Sequence, residues 1–166
     1  MKIKKLVTLA MLLAIAVVFG YVEAIMPISI GIPGVKLGLA NIVTFIILYI
    51  YSEKEGMLVG ILRILIVGFM FSNFSMIIYS MSGFVISFIC MVICKKTQIF
   101  SDVFVSVAGG VMHNIIQLLV AGVITKLVFP LLTYVPVLLI SGFLAGLVIG
   151  VVGKNCIPII KKISKE

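Results

Sequence analysis

An all-α integral membrane protein of six helices is the fold the sequence predicts, and three observations predict it. Hydrophobic residues make up 63% of the 166 positions and charged residues only 11%, against roughly 25% charge in a soluble domain. Mean hydropathy is +1.41. Apolar runs near membrane-crossing length recur along the chain, with lysines gathered between alternate pairs of them. The length fits one compact membrane domain over residues 1–166. A net charge of +8 would suggest nucleic acid in a soluble protein. Here most lysines flank apolar segments and read as topology signals and lipid-headgroup partners, so no nucleic acid is expected.

A crossing helix needs about 20 mostly apolar residues. The first candidate is Leu6 to Val22. Its lead-in, MKIKK, has the form of a signal peptide, but the apolar run is long and no clear small-x-small site precedes Glu23, so it is expected to be retained. The second segment is Leu37 to Tyr51 and the third Gly56 to Phe71. Both are short, which fits tilted, thin or re-entrant packing. The fourth, Phe74 to Cys94, is separated from the third by a brief polar notch at Ser72–Ser75. The fifth is Val103 to Phe129 and the sixth Val135 to Val152.

With six crossings, Lys2, Lys4, Lys5, Lys54, Lys95, Lys96, Lys154, Lys161, Lys162 and Lys165 share one side, and Lys36 and Lys126 the other. The positive-inside rule then places both termini of a multi-pass cell-membrane protein in the cytoplasm. The stretch EAIMPISIGIPGVKLGLAN, Glu23 to Asn41, becomes an external loop. Pro27 and Pro33 deny it a helix, and Gly31 and Gly34 favour turns. Such backbone at a membrane's edge needs water, protein or a cavity to satisfy it, and the stretch is expected to dip over a site.

The longest cytoplasmic pieces are the loop Lys95 to Asp102 and the tail from Gly153. There is no Walker A sequence, no GxGxxG after a strand and no DDxxD-like run; Asp102 is the single aspartate. No catalytic residue, metal site or cofactor is expected. Cys90, Cys94 and Cys156 show no metal-ligand spacing and read as packing residues.

Several polar side chains break the hydrocarbon. Arg63 lies seven residues from Gly56, roughly 10 Å from that helix end. It has three readings: pairing with an acid, contact with an anionic ligand, or snorkelling. His113, Asn114 and Gln117 lie near the middle of the fifth segment, with His113 and Gln117 one turn apart. Their mid-depth position asks for a ligand or for interhelical hydrogen bonds. Glu23 either caps the site or ends the first helix among headgroups. Lys36, Asn41 and Asn73 place further polar groups on the outer half, and together these suggest a pocket open to the outside. On the first segment, Ala10 and Ala14 form a small-xxx-small pair, with Ala16 continuing a small patch. Such spacing serves either close packing inside the protein or a docking surface.

Six segments, cytoplasmic termini, the Ala10–Ala14 pair and the long first loop resemble the substrate-binding S components of energy-coupling factor (ECF) transporters. More specifically, PGVKLGLAN, residues 33 to 41, resembles the hallmark stretch of the Gx transporter family, which has carried the name heptaprenyl diphosphate synthase component I. The resemblance covers essentially the whole chain. It implies a subunit that takes up a small vitamin- or cofactor-like solute from outside. It also implies that Ala10 and Ala14 dock a membrane coupling subunit served by two cytoplasmic ATPases. Lys36, Asn41, Arg63, Asn73, His113, Asn114 and Gln117 are the expected substrate contacts on physical grounds. The alternative is a non-catalytic membrane subunit associated with isoprenoid or quinone synthesis, or with a flavin or quinone redox system. A solitary ion-coupled carrier using Glu23, Arg63 and His113 ranks third, because no inverted repeat is visible.

Overall fold

The computed structural model describes residues 2–25, 38–126 and 133–165. Lys36, the prolines and glycines of the first loop up to residue 37, and Pro130 lie outside the described residues. Among the described residues there are six α-helices and no strand. They are α1 (Lys2–Ile25), α2 (Leu39–Ile50), α3 (Glu53–Phe71), α4 (Phe74–Thr97), α5 (Asp102–Thr125) and α6 (Val135–Lys165).

The helix count matches the sequence reading, while most boundaries move outward; α2 instead shortens from the expected Leu37–Tyr51 to Leu39–Ile50, between the Gly38 and Tyr51 caps. Helix α1 starts at Lys2 rather than Leu6, α4 continues past Cys94 through Lys95 and Lys96, and α6 runs past Val152 to Lys165 with Pro158 inside it. Charged residues at a membrane's edge do not stop a helix; they only stop the hydrocarbon pattern. In the other direction, α5 ends at Thr125, where Lys126 takes a left-handed conformation. Four helices, α1, α4, α5 and α6, are long and apolar enough to cross a membrane. Helix α3 has the length but carries Glu53, Lys54, Glu55 and Arg63. Helix α2 has 12 residues, about 18 Å, against about 30 Å of hydrocarbon.

Short as it is, α2 is the centre of the packing. Ala40, Ile42, Val43, Thr44, Phe45, Ile46, Ile47 and Leu48 are all buried. One side of the helix sends Ile42, Phe45, Ile46 and Leu48 into a core with Phe84 and Phe88 of α4, Val105 of α5 and Ile149 of α6. The other side sends Val43 and Ile47 against Leu12 and Ala16 of α1 and Val59 of α3. Ala16 therefore belongs to the interior and does not extend an outward patch with Ala10 and Ala14, both of which are exposed.

Both ends of α2 are closed by charges borrowed from other helices. At its start, the Glu23 carboxylate at the end of α1 accepts the Leu39 backbone N–H. At its end, Lys95 of α4 donates to the Leu48 carbonyl at 2.6 Å. An acid at the N-terminus and an ammonium at the C-terminus both suit the helix dipole and satisfy groups that a 12-residue helix would otherwise leave open. Gly38 precedes α2 with φ +73°, and a Cβ there would lie 3.3 Å from both the Asn41 side chain and Ile149. Glycine is the residue that takes this left-handed turn without strain.

Two glycine arrangements set the helix spacing. The Phe84 and Phe88 rings of α4 lie on Gly60 and Gly56 of α3, where a Cβ would overlap them. Between α5 and α6 the backbones themselves meet. A Cβ on Gly142 would fall 2.8 Å from the Gly110 carbonyl, one on Gly146 2.6 Å from Val107 Cα, and one on Gly150 2.9 Å from Val103 Cα. In lipid, where burying apolar surface gains little, such close van der Waals contact is what holds helices together.

The lysine-rich helix ends gather at one end of the bundle. Lys5 of α1 pairs with Glu55 of α3, and Lys96 of α4 pairs with Glu53 at 2.9 Å. Ser52 also donates to Glu55. Helices α1, α3 and α4 are thereby tied together at the end opposite Glu23 and Leu39.

Candidate functional site

The site grows from the inner faces of α2 to α5. Asn41 falls in the first turn of α2, because Gly38 turns the chain there and accepts the Asn41 backbone N–H at 2.8 Å. Arg63 is on α3, one turn beyond Gly60. Its Nη2 donates to Asn41 Oδ1 at 3.0 Å, and its guanidinium lies over the Phe84 ring, 5.9 Å from the centroid. The residue is 8% exposed, so the charge is held inside the bundle and does not snorkel. Its Nε is buried without a hydrogen-bond partner. The Glu23 carboxylate acts favourably on the guanidinium charge. A buried cation needs such compensation, since its desolvation is costly.

Beside this pair is a cavity of about 20 Å3, room for about one water molecule. Its polar lining is Asn41, Ser87, Ser106 and His113, and Phe45 and Phe84 are among its apolar walls. It is enclosed by α2, α4, α5 and α6. A solute of vitamin size occupies hundreds of Å3, so the walls have to part for one to bind. Phe84 is the shared wall: one ring serves both the cavity and Arg63.

The predicted residues do not all come together. Asn41, Arg63 and His113 come together around the cavity and its Phe84 wall, with His113 half-buried and packed on Gly83 of α4. Gln117 is half-buried one turn further along α5. Asn114 is buried but turned to α6, where its Nδ2 donates to the Leu138 carbonyl at 3.0 Å and Ser141 Oγ at 3.1 Å. Asn73 is exposed and caps α4, its Oδ1 accepting the Met76 N–H at 2.9 Å. Lys36 lies outside the described residues. Ala10 and Ala14 are exposed on α1, the least buried of the four long apolar helices, alongside Val7, Met11 and Val18.

Ser87 and Ser106 escape a reading that weighs only large polar groups. Ser106 had a signal: with Gly110 and His113 it makes an i, i+4, i+7 stripe of small and polar residues on α5. The same rule separates Asn114 from His113, because consecutive helical residues do not share a face.

No curated protein and no solved structure matches the chain. A family model described as heptaprenyl diphosphate synthase component I matches residues 12–156, a stretch that holds Arg63 and every residue lining the cavity. The chain belongs to the heptaprenyl diphosphate synthase component I family.

Proposed function

We propose that the chain is the substrate-binding membrane subunit of an ECF-type transporter. It sits in a prokaryotic cell membrane as one six-helix domain with both termini inside, and it takes up a small vitamin- or cofactor-like solute from outside. Asn41, Arg63 and His113 form the centre of the substrate site, Gln117 and Lys36 extend it, and Asn73 and Asn114 hold helices in place. The reading assigns no chemical step to the chain. Energy comes from a membrane coupling subunit with two cytoplasmic ATPases.

The observation that carries this reading is the outward face of α1. Ala10 and Ala14 are exposed there, one turn apart, on the least buried of the long apolar helices. Two small residues at that spacing let a second helix approach closely. The test is a tagged pull-down from native membranes in mild detergent, repeated with Ala10→Trp and Ala14→Trp. Recovery of a membrane subunit with two ATPases, lost in both variants, is expected. Recovery that survives both substitutions would falsify the docking assignment.

The family description favours a second reading: a membrane component that works beside a prenyl diphosphate synthase. The same pull-down separates the two. A soluble prenyl synthase in place of ATPases moves the chain to this reading.

A further inference from the structure

The α2 N-terminus, Asn41 and Arg63 have the composition of an anion site, and a carboxylate of the chain itself stands at its helix end, bound to Leu39 N–H and acting on Arg63 through space. The Leu39 N–H at the head of a 12-residue helix points at Glu23 Oε1, 2.5 Å away. Arg63, more than nine-tenths buried, anchors to Asn41 in the same first turn and keeps a buried Nε without a partner. Glu23 is half-buried and comes from a different helix, so its carboxylate can withdraw without unmaking α2. Phe84 lies under the guanidinium on one side and faces the cavity on the other. A ligand with its anionic group at Arg63 would run its apolar body along Phe84 and Phe45.

We propose that Leu39 N–H, Asn41 and Arg63 form a binding site for the carboxylate or phosphate of a small amphipathic organic anion, and that Glu23 occupies this site until the ligand displaces it. The proposal rests on the substrate-binding reading above and adds the chemical class of the ligand. A backbone N–H at a helix start and a guanidinium are the groups that recognise such anions. A neutral or cationic solute leaves the buried charge of Arg63 without compensation once Glu23 moves.

The experiment uses the full chain in phosphatidylcholine nanodiscs, with calorimetric titration of phenyl phosphate, benzoate and the neutral benzyl alcohol. Glu23→Gln keeps the side-chain shape and removes the competing charge. It is expected to bind both anions about tenfold tighter than the wild type, with benzyl alcohol unchanged, and Arg63→Gln in that background is expected to abolish the gain. Anion affinity that does not rise in Glu23→Gln, or that rises equally for benzyl alcohol, overturns the proposal. Glu23→Ala gives an independent reading. Formate, which refills the carboxylate position, is expected to raise its Tm above that in equal chloride, and equal Tm values overturn the site. Repeating the titration with phosphatidylglycerol in the discs identifies the source of the anion: competition assigns the site to a lipid headgroup, and no competition assigns it to a free solute. None of these measurements needs a coupling module, so a failed pull-down and a failed anion titration are distinguishable.

Discussion

Arg63 Nη2 donates to Asn41 Oδ1 at 3.0 Å, and this bond joins α3 to the first turn of α2 across 22 positions of sequence. It gives a buried guanidinium an uncharged acceptor in the half of the bundle where Glu23 is the nearby acid. Replacing Asn41 by Leu removes that acceptor while keeping the branched outline of the side chain. Unfolding in detergent, followed by circular dichroism, is expected to show a loss of about 2 kcal/mol. Asn41→Asp keeps an acceptor and is expected to lose less, with a wild-type-like loss in Asn41→Leu counting against the bond's role.

The seam between α5 and α6 is predicted to be the least tolerant surface of the fold. A Cβ on Gly146 falls 2.6 Å from Val107 Cα, which is backbone and cannot swing aside. Gly146→Leu is expected to destabilise by more than about 3 kcal/mol. Phe143→Leu, on the outer face of the same helix, is expected to change stability by less than about 0.5 kcal/mol. Thermal melts of the two variants side by side make the comparison.

Asn73 separates a structural role from a ligand role. Its side chain caps α4, so Asn73→Ala is expected to cost about 1 kcal/mol of stability. Anion affinity in the titration above is expected to stay at the wild-type value. A large loss of affinity with no loss of stability would return Asn73 to the binding site.

The lysine-rich end is predicted to loosen in acid. The hydrogen bond from Lys5 holds the Glu55 carboxyl below its ordinary pKa of 4.5. A depressed folded-state pKa means the contact contributes above the ordinary value and is lost as pH falls below it. The wild type is therefore expected to lose Tm more steeply than Glu55→Gln once pH drops below 4.5. Lys5 is exposed and Glu55 partly so, and solvent screening keeps the difference below about 1 kcal/mol. Parallel curves for the two proteins would show that the Lys5–Glu55 link contributes nothing.

The long helices were legible because hydrocarbon thickness demands long apolar runs, short α2 was legible as the apolar stretch after the Pro- and Gly-rich loop, and the break between α3 and α4 was legible in the polar residues Ser72 and Asn73. Helix ends were not, since Lys95, Lys96 and the segment beyond Val152 continue the helix after the apolar pattern stops. His113 and Arg63 announced themselves as polar groups within apolar helices. That Asn114 and His113 face different neighbours was readable from helical geometry, but that Asn114 meets α6 and His113 the cavity depends on how the helices pack. The Gly142, Gly146 and Gly150 series obeys the same spacing rule that singled out Ala10 and Ala14. What no local pattern reveals is the tie from Glu23 to Leu39, which depends on where the far end of α1 meets the start of α2.

The glycine seam also has the property of a ruler with equal marks. Gly142, Gly146 and Gly150 repeat every four residues, so sliding α6 by one turn puts glycine against α5 at two of the three marks again. Smooth contact alone therefore defines how close the two helices come, but not their alignment along the axis. Asn114 supplies the alignment. Its hydrogen bond to Ser141 is made at one setting only: a one-turn slip offers another backbone carbonyl in place of Leu138, but Val137 or Ala145 in place of the serine hydroxyl, a loss of about 1 kcal/mol. Asn114 acts as the index pin of the pair, and without it the helices would still mesh with nothing to tell neighbouring notches apart.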